Sequence, residues 1–518
     1  MSDGEARLAA AQRAWIEGDA ERCLALCDDV ADAGGGDPES LALLRARALL
    51  RLRREPEALA ELTAESGAPR EFATSPAARM LAGTGYVRSG EIERGLAVLN
   101  EAARDADAAD VALCSEIALG IALARYDTGD LAGAETALDR VDSGSEIVYA
   151  RALELRGWIA KRRGEFALAI DHFDAALAQI DHSQQRDRFV EASVVTIQGN
   201  LAVELLDEAR WDAMQRRGDR ITWDGEGMAY YRFWHEMNRS MADETYGRPR
   251  EALHAARNAA AAAPSQAFRI FAHCRRAAVL LAYDELLGYE DLATTIRAEF
   301  DAVDVGVLQA FEEVNLAAVV VATLALIGDA AGATAALQRL HAMPATQRAV
   351  LTQEPLERGY LAYVEALVAD ASGDTFAAQH GYGEAVRAFQ DVGAVRRAIL
   401  AALRLIDLNA DAAALHFVDS QVTRLPVQSW LRIRAAKFAK RHTDPFLAEL
   451  TRAEREVLEL LYHGRSTSDI AAIRGRSPQT IRNTVSALLK TFGVGNRAAL
   501  ISECRRRSIF EPRREAQP

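Results

Sequence analysis

The sequence predicts an all-α protein, an α-solenoid of stacked helical hairpins followed by a small four-helix unit. Three observations carry that reading. A phrase of apolar helix, turn glycine, acidic residue and second helix returns every 35 to 45 residues through the first 445, which is the period of helical repeats. Four helix-start signals then crowd into about fifty residues near the carboxyl end. The charge also changes sign between the two parts. Residues 446–518 carry 13 Lys and Arg against 8 Asp and Glu, a net of +5, which leaves −19 of the total of −14 for residues 1–445. Such an asymmetry hints at a nucleic-acid-binding end.

The repeat is legible in "WIEGDAERCLAL", "YVRSGEIERGLAVL", "RYDTGDLAGAETAL", "AKRRGEFALAIDHF", "LALIGDAAGATAAL" and "ADASGDTFAAQHGY", with turn glycines at Gly18, Gly90, Gly129, Gly164, Gly328 and Gly373. Weaker turns fall near Arg54, Glu208, Gly247 and Gly288, giving about ten hairpins. Glycine can take the left-handed conformation that ends a helix. The acid after it suits the positive end of the next one. The segment Ala152–Leu177 resembles a tetratricopeptide repeat in its Gly–Trp, Gly–Glu, Ala and Phe placements. One hairpin cannot bury its apolar stripe, and stacking supplies a continuous core. Residues 1–430 are therefore read as a tetratricopeptide-like array, whose concave surface would take a protein, peptide or small-molecule partner. In the densest aromatic stretch, Trp223–Tyr246, a ligand pocket and irregular packing at a break in the repeat both fit the residues.

Several chemistries are excluded or unsupported. No G-x-x-x-x-G-K-[ST] occurs, and none of the four lysines (Lys161, Lys437, Lys440, Lys490) follows a glycine, so the phosphate cradle of a nucleotide switch is missing. No Gly-x-Ser-x-Gly or His-Glu-x-x-His stands in the chain, and no enzyme, cofactor or metal is expected. The five cysteines are odd in number and scattered, which implies no disulfide framework. Cys23 and Cys27 share a helix face, where small apolar filler and a metal or redox pair are both conceivable. The longest apolar run, residues 316–327, has 12 residues, which suits a buried helix and is too short for a bilayer. The acidic start lacks the form of a signal peptide. A cytoplasmic protein with no membrane partner is expected.

Residues 431–445, "LRIRAAKFAKRHTDP", read as a basic connecting helix or linker. Beyond it, Thr451 with Glu454 and Ser466 with Asp469 form two capping boxes, and Leu450 is placed to act as a hydrophobic staple. Ser477 caps a third helix with Pro478 at its first position, and Asn496 can cap a fourth. Gly464, Gly475 and Gly493 separate them. Ile481, Val485, Leu488 and Phe492 mark the inward side of the third helix, and Gln479, Arg482, Asn483, Ser486 and Lys490 the other side.

The pieces "LT..EREVLELL..G.S", "DIA" and "S..TIRN.VS.LL..FGV.NR.AL" resemble the LuxR-type helix-turn-helix of bacterial transcription regulators. The full expectation is thus an α-solenoid of tetratricopeptide-like hairpins followed by a four-helix LuxR-type domain at 446–510 and a disordered tail at 511–518. The resemblance implies that helix 478–492 lies in the major groove of double-stranded DNA. Arg482 then stands at the family's basic contact position, facing a guanine edge or a phosphate. Asn483, Gln479 and Ser486 can reach base edges, while Thr467, Thr480 and Lys490 suit phosphates. In relatives the fourth helix, here 496–507, is a dimerisation surface. Arg474 and Arg476 depart from the family pattern by replacing apolar residues, and Thr484 by replacing a frequent histidine. Ile473 is expected to fill the gap at 474, leaving both arginines as additional DNA contacts or as a loosening of the unit. A transcription regulator and an adaptor with a degenerate helix-turn-helix are the two functions that follow.

Overall fold

The computed structural model describes residues 3–506 except 34–36, 65–69, 71–72, 184–186, 226, 284–288, 304–309, 410 and 444–449. The expected tail at 511–518, Arg507, Gly288 and the Asp444–Pro445 junction lie outside the described residues. The architecture is all-α. Eleven helix pairs follow one another: Asp3–Ile16 with Ala20–Asp32, Pro38–Arg51 with Glu55–Leu62, Pro76–Arg88 with Ile92–Asp105, Val111–Asp127 with Leu131–Leu138, Glu146–Arg162 with Phe166–His182, Arg188–Glu204 with Glu208–Gly218, Ala229–Thr245 with Pro249–Ala262, Gln266–Ala282 with Tyr289–Ala302, Ala310–Ile327 with Ala330–Ala342, Pro355–Ser372 with Thr375–Asp391, and Val395–Asn409 with Ala412–Val422. A single helix, Ala345–Gln353, intervenes, and Trp430–Thr443 closes the array. The sequence reading of ten hairpins missed the break between helices Val395–Asn409 and Ala412–Val422, where no glycine stands and Asp411 caps the second helix.

The turns explain the repeat. Gly18, Gly90, Gly129, Gly164, Gly247, Gly328 and Gly373 all have φ between 80° and 99°. Where the glycine is missing, Arg53 (φ 59°) and Leu206 (φ 55°) take the same conformation, at about 1–2 kcal/mol each. Asp19, Asp130, Asp207, Asp329 and Asp374 then accept a hydrogen bond from a backbone N–H of the second helix. Glu91 and Glu165 stand at the same position and make no such bond; the Glu91 carboxylate accepts from Arg94 at 2.9 Å instead. In the Ala152–Leu177 hairpin, Gly157 lets the helices approach so closely that a Cβ there would lie 2.5 Å from the Phe173 ring.

Successive first helices also touch one another directly, from Asp3–Ile16 through Pro355–Ser372, so they form the inner layer of the array. The array folds back on itself. Helix Arg188–Glu204 touches Val395–Asn409, and Ala229–Thr245 touches Trp430–Thr443. Arg162 pairs with Glu354 at 2.6 Å, Arg397 with Glu204 at 3.1 Å and Arg396 with Glu244 at 3.1 Å. Ser429 donates its hydroxyl to the Thr245 carbonyl at 2.6 Å. The basic helix after residue 430 belongs to this core through buried Leu431, Ala435 and Phe438, with Lys437 exposed. Most of the 223–246 stretch is likewise a regular helix of the repeat, packed through edge-on contacts among Phe233, Trp234, Phe268 and Phe271. Phe233 and Tyr246 are fully buried.

Candidate nucleic-acid interface

The C-terminal unit has four helices, Arg452–Tyr462, Thr467–Ile473, Pro478–Thr491 and Arg497–Arg506. Each start is fixed by a local bond. The Thr451 N–H donates to Glu454 Oε2 at 2.9 Å while Thr451 Oγ1 accepts from the Glu454 N–H at 3.3 Å. Ser466 and Asp469 repeat the exchange at 3.0 and 3.1 Å, and these bonds hold the Asp469 carboxyl below its ordinary pKa. Ser477 Oγ accepts from the Thr480 N–H at 3.1 Å, and Asn496 Oδ1 from the Ala499 N–H at 2.9 Å. Gly464, Gly475 and Gly493 end the first three helices with positive φ.

Leu450, Val457, Leu458, Leu461, Ile470, Ala471, Ile481, Leu488, Phe492, Leu500 and Cys504 make the core, with Val485 and Leu489 against it. The third helix, about 21 Å long, therefore buries one stripe and turns the other outward. Gln479, Thr480, Arg482, Asn483, Ser486 and Lys490 are all exposed, and Thr467 is half-buried at the start of the second helix. The outward face is pre-ordered by short bonds. Gln479 Nε2 donates to Asn483 Oδ1 at 3.1 Å, and the Ser486 hydroxyl to the Arg482 carbonyl at 3.0 Å. The Thr484 hydroxyl donates to the Thr480 carbonyl at 3.1 Å.

The expectation for Ile473 fails: its side chain is 57% exposed and fills no gap. Arg474 instead forms an ion pair with Glu456 on the first helix, so its head is engaged within the domain. Arg476 is exposed in the turn before the third helix. Sequence reasoning also overlooked a link between the first turn and the fourth helix. Arg497 donates to the Arg465 carbonyl, a contact across 32 residues with no local signal.

Residues 448–504 match the family described as bacterial regulatory proteins, luxR family. They form a LuxR-type helix-turn-helix domain. No curated protein sequence matches the chain. Among solved structures, a Rap protein complexed with competence and sporulation factor is 15% identical, with TM-score 0.47, covering 70% of this chain and 99% of that one. The Cut9–Hcn1 hetero-tetramer of APC/C is 12% identical, with TM-score 0.34, covering 84% and 96%. The P58(IPK) TPR domain is 16% identical, with TM-score 0.23, covering 79% and 100%. Among the described residues no helix is long and apolar enough to cross a membrane.

Proposed function

We propose that the chain is a sequence-specific DNA-binding transcription regulator, acting without enzymatic chemistry in the bacterial cytoplasm. The repeats through residue 430 receive the controlling input, and 446–510 reads DNA. One observation carries this reading. In a LuxR-type domain, the whole polar face of the third helix stands in solvent while its apolar stripe is buried. In the major groove, Arg482 would meet a guanine edge or a phosphate, and Asn483, Gln479 and Ser486 base edges. Lys490, Thr480, Thr467 and Arg476 would serve phosphates, which set register without reading sequence. Arg474, tied to Glu456, would stiffen the domain. Pairing through 496–507 would place two such helices about one turn of DNA apart.

The test is binding of the full chain to genomic DNA fragments across a range of salt. Affinity should fall steeply as salt rises. Arg482→Ala should weaken it by about 1–3 kcal/mol and lower the slope of log K against log salt by about 0.9. Immeasurable binding at low salt would favour a helical-repeat adaptor with a degenerate helix-turn-helix.

A further inference from the structure

Four arginines of the inner layer gather where the second, third and fifth hairpins meet the start of helix Arg188–Glu204. Arg47 is paired with Glu116 and Arg51 with Asp187, each at 2.9 Å. The other two form no ion pair among the described residues, although Glu55 acts on Arg88 and Glu154 on Arg151 through space. Arg88 gives one N–H to the Leu50 carbonyl at 2.7 Å, which brings it beside Arg51. Arg151 makes no hydrogen bond or ion pair within the described residues.

Arg51 supplies the second observation. Its side chain is only 9% exposed, its guanidinium lies 3.9 Å over the Trp15 ring, and its Nη1 is buried with no hydrogen-bond partner. A buried donor left unbonded is costly, the more so on a charged group. The cations also strain one another. Burial first, then Arg151 and Arg53, push Arg88 down to about 10, and burial with Arg151 and Arg47 lowers Arg51 despite Asp187. At the rim, exposed Arg53 lies 4.4 Å over the Tyr230 ring and 5.7 Å from that of Tyr231. Forked donors converging on one region, with charge in excess and a donor unused, match an oxyanion better than any other ligand.

We propose that Arg51, Arg88 and Arg151 form a binding site, on the inner wall of the array, for a small metabolite held through a phosphate or carboxylate group. The bound anion fills the unused Arg51 N–H and adds a direct ion-pair partner for Arg88 and Arg151, on which Glu55 and Glu154 act only through space. It also braces the second, third and fifth hairpins against one another. This deepens the proposed control through the repeats by giving the input a chemistry.

The test is calorimetric titration of the full chain, without DNA, with inorganic phosphate and separately with citrate. Chloride is exchanged to hold ionic strength constant. Saturable binding of at least one anion is expected. Arg151→Gln removes a side chain that forms no hydrogen bond or ion pair among the described residues and acts only through space on Glu154, so it should weaken binding about tenfold while the melting temperature of the anion-free protein shifts little. Arg88→Lys keeps the charge, loses the fork and should also weaken binding. A preference for phosphate assigns a phosphorylated metabolite, and one for citrate a polycarboxylate. No saturation with either anion, or parental affinity in both variants, overturns the site. Because DNA is absent, neither result depends on the regulator reading.

Discussion

Glu244→Gln tests how the array is held closed. The Glu244 side chain is 3% exposed and accepts from Arg275 and, at 3.1 Å, from Arg396. Arg396 also donates to the Thr245 hydroxyl at 2.8 Å, and the Tyr283 hydroxyl donates to the Glu244 carbonyl at 2.7 Å. One carboxylate therefore serves two guanidiniums that are themselves 10% and 7% exposed. Glutamine keeps the volume and removes the charge, leaving two buried cations without a shared counter-ion, at a cost of about 3–5 kcal/mol. Unfolding of so long an array need not be two-state, so the readout is amide hydrogen exchange in helices Ala229–Thr245, Gln266–Ala282 and Val395–Asn409. Exchange there should accelerate about a hundredfold or more, with the N-terminal hairpins little changed. Arg275→Met leaves Glu244 paired with Arg396 and should cost less. Unchanged exchange in Glu244→Gln, or a larger effect from Arg275→Met, would refute the account.

Three further outcomes follow from other parts of the fold. His235, 6% exposed and stacked on Trp223 at 4.6 Å, is pushed down to about 4, by burial first and then by Arg239. The unfolded chain therefore binds the extra proton between about pH 6.5 and 4, so stability should fall by about 3 kcal/mol as pH drops through that window. His235→Phe should flatten the melting-temperature profile there. Asp374→Ala loses a cap bond of 3.0 Å and about 1 kcal/mol, whereas Glu165→Ala loses no cap bond and should melt within about 0.5 kcal/mol of the parent. Gly157→Ala drives a methyl into the fully buried Phe173 ring and should cost about 1–3 kcal/mol; adding Phe173→Leu should restore part of it in the same melt.

What the sequence made legible was local. A glycine followed by an acid marks a left-handed residue and, where the acid is aspartate, a cap bond; six such turns announced the repeat. The capping pairs Thr451–Glu454 and Ser466–Asp469 located two helices of the C-terminal unit for the same reason. The eleventh pair escaped because Asn409 and Asp411, not a glycine, separate its helices: Asn409 Oδ1 accepts from the Asp411 N–H and Asp411 caps the next helix. The Arg474–Glu456 pair was hidden because an arginine at an apolar position gives no sign of which distant acid it will meet. The closure of the array was hidden more completely. Arg397 and Glu204 are 193 residues apart, and neither differs locally from the other charged residues of the helices that carry them.

That closure has a kinetic consequence. Hairpins built from neighbouring residues form early, whereas contacts between chain segments nearly two hundred residues apart wait on a much larger search. Glu244 meets Arg275 within neighbouring hairpins, whereas Glu204 gains its Arg397 partner only once the later repeats arrive. During synthesis, Glu204 therefore lacks its ion-pair partner until the chain extends past residue 397.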